Sequence, residues 1–237
     1  MPQSETSYAD RLQRARSIVN ATKGFSPAFK PAESSLAPAA METFVKSVEA
    51  ANLAIATAMA DWKETTSLRV ITVAEIKKSV MRAHSRVKSK TAWAHHAPAV
   101  KALADKIRGA RFAKPKLPAE STTPATPTRE SGDLSYADIK SHLEQFNTAI
   151  KKITGYDTDA PEEITHASLL ALEGKLLTSN EQVSSQSQIL ASARSTRADL
   201  YDGPTGLKTK LKAIKESAKS QYGSTSTQYQ QIKPIRV

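Results

Sequence analysis

Residues 41–62 read METFVKSVEAANLAIATAMADW, and residues 169–190 read LLALEGKLLTSNEQVSSQSQIL. In the first stretch the apolar seam is Met41, Phe44/Val45, Val48, Ile55, Met59 and Trp62. In the second it is Leu169, Leu172, Leu176, Val183 and Leu190. These spacings of three and four residues, alternating along the seam, form one stripe on a helix with a coiled-coil-like period. An asparagine interrupts each seam, Asn52 and Asn180, at an offset of 128 residues. A polar residue in an apolar seam fixes register at a cost in stability, and it must find a partner. The alternative is a buried polar ligand site. Pro38 and Pro161 precede the two helices, as first-turn prolines do.

The repetition extends outward. Ser7-Tyr8-Ala9-Asp10 recurs as Ser135-Tyr136-Ala137-Asp138 at the same offset. Ser7 and Ser135 each suit a helix N-cap, with Asp10 and Asp138 in the first turn. Tyr8, Leu12, Ala15 and Val19 follow at helical spacing in the first copy. Tyr136, Ile139, Leu143, Phe146, Ile150 and Ile153 do so in the second. Lys23-Gly24-Phe25 and Thr154-Gly155-Tyr156 then offer a left-handed glycine stop. A third helix aligns at an offset of 131: Ile76, Val80, Ala83 and Val87 against Leu207, Leu211, Ile214 and Ala218. Gly203-Pro204 breaks the chain before the later one. The earlier one is preceded only by Val70-Ile71-Thr72-Val73, a run that fits continuing or locally irregular helix. Short segments from Pro98 to Gly109 and from about Ser226 to Ile232 close the two copies.

The expectation is an all-α protein, a tandem duplication of two antiparallel helical bundles. Each bundle has three main helices plus a short one. The domains would be 1–113 and 133–237, joined by a Pro/Thr-rich linker, 114–132. The N-terminus lacks the apolar core of a secretory signal, and the most apolar window, Phe44 to Met59, is broken by Lys46, Glu49 and Asn52. A cytoplasmic protein without a membrane span is expected.

The 237 residues include no cysteine, which excludes disulfides, thiol nucleophiles and zinc–thiolate sites. Phosphate-loop, dinucleotide-binding, zincin and nucleophile-elbow motifs are absent. Glu163-Ile164-Thr165-His166 matches the bundle di-iron string once, without a counterpart in the first copy, so a solvated first turn fits better. His95-His96 are adjacent residues that would point about 100° apart on a helix, which suits a polar turn better than a shared metal. The sequence therefore predicts no catalytic, cofactor or metal residues, and no enzyme.

Charge is the remaining signal. Lys and Arg number 34 against 23 Asp and Glu, a net +11. Residues 1–113 carry 18 basic and 9 acidic residues; residues 134–237 carry 13 and 11. Two basic stripes on the third helices are candidate anion- or partner-binding residues: Lys77, Lys78, Arg82, Arg86, Lys88 and Lys90 in the first copy, and Lys208, Lys212, Lys215 and Lys219 in the second. A solvated lysine face covering apolar surface is the competing reading. The expected partner is another protein or a second copy, or else nucleic acid or another polyanion, bound without sequence specificity.

The C-terminal stretch pairs a basic helix carrying Lys215 and Lys219 with a Tyr222-Gly223 turn and a short tail holding Tyr229 and Ile232. It resembles the endings of uncharacterised bacterial small helical-bundle proteins. The resemblance covers part of one copy. It implies helical bundles and a bacterial setting, and it brings no activity with it.

Overall fold

The structure is a computed structural model and describes residues 5–109 and 135–236. All regular structure among these residues is helical. The helices are α1 (Glu5–Lys23), α2 (Pro38–Ser89), α3 (Ala97–Arg108), α4 (Tyr136–Lys151), α5 (His166–Asp202), α6 (Leu207–Tyr222) and α7 (Thr227–Ile232). Single 3-10 turns lie at Ser34–Leu36, Thr91–Trp93 and Glu162–Ile164. No helix among the described residues is long and apolar enough to cross a membrane. The expected linker, 114–132, lies outside the described residues.

The all-α class holds, but the packing differs from two sequential bundles. The chain divides into one compact unit of residues 1–62 with 186–237 and another of residues 63–185. Each unit draws on both halves of the sequence. In the first unit, Ala15, Ile18, Val19, Met41, Val45 and Val48 share a core with Tyr201, Leu207, Leu211, Ile214, Ala218 and Ile232. In the second, Ile76, Val80, Ala83, Val87, Val100 and Ile107 share a core with Ile139, Leu143, Phe146, Ile150, Leu169 and Leu176. Most seam positions are buried, with Phe44, Met59 and Trp62 half-buried, and the core residues of each half pack with residues of the other. An apolar stripe demands a cover without specifying which segment supplies it.

The expected second and third helices of the first half are one helix, α2, of 52 residues. The reason is local. No glycine or proline interrupts residues 39–89, and the β-branched run 70–73 continues the helix. The later counterpart is broken, because Gly203 donates its N–H to the Asp199 carbonyl at 2.9 Å and a Cβ there would sit 2.4 Å from that oxygen. Only glycine permits that approach.

The ends of the elements sort the expected caps. Ser135 caps α4: its Oγ accepts from the Asp138 N–H at 3.1 Å. Ser7 does not cap α1, which already begins at Glu5. Gly155 is left-handed at φ 73°, whereas Gly24 is not. The aromatic after each turns inward regardless, Phe25 and Tyr156 both being buried. Pro38 is the first residue of α2, but Pro161 precedes the 3-10 turn and α5 starts at His166.

Candidate functional site

The basic residues belong to different units. Lys77 to Lys90 lie on α2 and just after it in the 63–185 unit; Lys208 to Lys219 lie on α6 in the other. Their fates differ sharply.

Arg86 is spent on the fold. Its Nε and Nη2 donate to the Tyr156 carbonyl at 3.2 and 3.1 Å, and its Nη1 to the Asp159 carbonyl at 3.2 Å. Nη2 also donates to the Thr158 carbonyl. The guanidinium lies 5.6 Å from the Trp93 ring centroid and 5.7 Å from that of Tyr156. Five donors in a planar fork suit a loop whose carbonyls turn toward one point. Arg82 pairs with Glu163 at 3.6 Å, and Lys90 Nζ sits 4.4 Å from the Trp93 ring centroid. Lys77 is half-buried. Lys78 and Lys88 are exposed and form no salt bridge among the described residues.

On α6 the balance is reversed. Lys208, Lys212 and Lys219 are exposed and unmatched by any salt bridge among the described residues. Lys215 is the exception. Its ammonium donates to the Lys233 carbonyl at 3.1 Å and to the Ile235 carbonyl, and burial pushes its pKa down. It is a tether for the segment after α7. Sequence reasoning missed that role, because the spacing of Lys215 on α6 says nothing of where the last residues go. It also missed Lys233 and Arg236, both exposed on that segment.

The sequential charge asymmetry dissolves once residues are grouped by unit. The 1–62 with 186–237 unit holds 15 basic and 9 acidic residues, and the 63–185 unit holds 19 and 14. Their net charges are +6 and +5.

Of the two polar seam residues, Asn52 is tied into the fold. Asn52 Nδ2 donates to the Tyr201 hydroxyl at 2.9 Å, and that hydroxyl donates to the Tyr8 carbonyl at 3.1 Å. Asn52 Oδ1 and Asn180 Oδ1 are buried without a protein partner. Arg197 stacks over the Tyr8 ring at 4.1 Å, and Arg69 stacks over the Tyr136 ring at 3.7 Å. Arg69 and Arg197 stand 128 residues apart, as the two tyrosines do. Each arginine thus covers the tyrosine of the opposite half.

The candidate metal strings are accounted for separately. Glu163 holds Arg82, while the His166 backbone N–H donates to Asp157 Oδ1 at 2.8 Å. The rings of His95 and His96 lie 3.9 Å apart. His96 borders an open groove of about 420 Å³ with Val100, Glu144 and Lys152. No group of three His, Asp or Glu side chains able to hold a metal occurs among the described residues.

Comparison with protein-family models, with curated protein sequences and with solved structures finds no match to this chain.

Proposed function

We propose that this chain is a non-enzymatic helical interaction protein, built by tandem duplication, that binds or assembles with another macromolecule. The observation that carries this reading is the contrast between spent and unspent polar groups. Arg11, Arg16, Lys23, Arg82, Arg86 and Lys101 are engaged in holding the fold. Lys78, Lys88, Lys208, Lys212 and Lys219 face solvent with no partner of opposite sign within salt-bridge distance among the described residues. Two units of similar net charge can engage two sites on one partner, which raises avidity without new contacts. The resemblance of the C-terminal stretch to bacterial helical-bundle proteins fits this reading, as does a cytoplasmic setting. A second reading, non-specific association with nucleic acid, is favoured by the row of unmatched lysines on α6. Light scattering over a range of concentrations, paired with duplex binding at low salt, tests both. Self-association or binding supports an interaction role; a strict monomer removes self-assembly from the first reading, and no duplex binding at low salt removes the second.

A further inference from the structure

Several unspent cations of the 1–62 with 186–237 unit lie on α6 or on the segment after α7. Lys208, Lys212 and Lys219 flank the buried stripe Leu207, Leu211, Ile214 and Ala218 of α6. Spacings of four and seven residues set them along one side of the helix. The tether from Lys215 to the Lys233 and Ile235 carbonyls lays the chain after α7 beside them. Arg236 lines a shallow dent together with Lys208, Arg11 and two leucines of α6. Arg11 is itself held by Asp202, its Nη2 at 2.7 Å from Oδ1. The remaining carboxylate on this helix is Glu216, exposed and outnumbered.

A row of ammonium groups at regular spacing does not select one acidic side chain; it suits a uniformly charged polymer. From Lys208 to Lys219 the helix rises roughly 16 Å. A duplex presents on the order of ten phosphate charges over that length. Lysines are poor readers of base edges, so the contact carries no sequence preference. We propose that Lys208, Lys212, Lys219, Lys233 and Arg236 form a binding surface for the phosphate backbone of a nucleic acid, with Lys215 as the positioning residue that holds the last two in place. This rests on the second reading above and departs from the charge argument by halves: the cations of this surface come from the less basic half of the sequence.

The test is fluorescence anisotropy of a mixed-sequence duplex with the full-length protein across a salt series. Lys208→Ser, Lys212→Ser and Lys219→Ser together are expected to weaken binding about tenfold or more at ~50 mM salt and to flatten the log–log salt slope by about 2.7. Lys78→Ser with Lys88→Ser on the other unit should stay within about twofold, since each lost phosphate contact acts only where it is made. Circular dichroism should show the triple variant melting cooperatively. No binding of the unaltered protein at low salt overturns both this surface and the nucleic-acid reading. Binding unchanged in the triple variant, or weakened as much in the Lys78/Lys88 pair, overturns the surface alone.

Discussion

At the scale of single residues, Arg86 and Tyr156 show how polar groups are used here. Arg86 supplies donors to three loop carbonyls, those of Tyr156, Thr158 and Asp159, and Tyr156 closes the same loop by donating its hydroxyl to the Ile164 carbonyl at 2.9 Å. Arg86→Ala should lower stability by about 1–3 kcal/mol, the range for lost charged hydrogen bonds; a melt within a few tenths of the original would contradict the clamp. Burial pushes the Tyr156 pKa up to about 12. The fold favours the neutral phenol, so this contribution is complete below the ordinary tyrosine value near 10 and is lost as pH rises through about 12. Tyr201 and Tyr222 are shifted the same way by burial. Melting curves between pH 9 and 12 should therefore fall less steeply for Tyr156→Phe than for the unaltered chain; equal slopes would contradict the assignment. None of this was legible in the sequence. Arg86 reads there as one more member of a basic stripe, because the carbonyls it serves lie about 70 residues further on.

At the scale of elements, the seams were legible and their ends were not. Leu169, Leu172, Leu176, Val183 and Leu190 are all buried, as the three-and-four spacing requires. Leu176→Ala should cost about 2–5 kcal/mol by the transfer and cavity terms; a change near zero would contradict its place in the core. The run Val70-Ile71-Thr72-Val73 reads as continuing or locally irregular helix, since β-branched residues weaken helix preference without forbidding it. In the structure it is a continuous helix whose Leu68, Val70 and Ile71 are 50%, 53% and 55% exposed. Two substitutions separate helix from loop at this place. Ile71→Pro should cost about 3 kcal/mol or more by removing a helical hydrogen bond. Ile71→Ser should stay within about 0.5 kcal/mol, because the side chain is exposed. A small cost for the proline would mean that α2 is broken there.

At the scale of the whole molecule, repetition in sequence did not translate into sequential bundles. Ser7 to Asp10 and Ser135 to Asp138 are matching stretches near the starts of α1 and α4, and the natural inference is that each half closes on itself. The described residues pack otherwise: α1 and the first part of α2 are covered by the end of α5, α6 and α7, while α4 and the first part of α5 are covered by the rest of α2 and α3. Periodicity cannot distinguish the two arrangements, because the copies present matching apolar stripes and either can cover either. The reciprocal stacking of Arg69 on Tyr136 and Arg197 on Tyr8 gives the exchange its sharpest local expression. The same regrouping turns an apparent surplus of charge in one half into nearly equal shares. The most direct test of this arrangement is a single cut, made by a site-specific protease at a cleavage site placed between residues 114 and 132, followed by size-exclusion light scattering. If each unit is built from both halves, the cut chain stays one particle of 25.6 kDa and melts in the same cooperative transition as the uncut chain. Separation into two half-sized particles, each melting on its own, would contradict it.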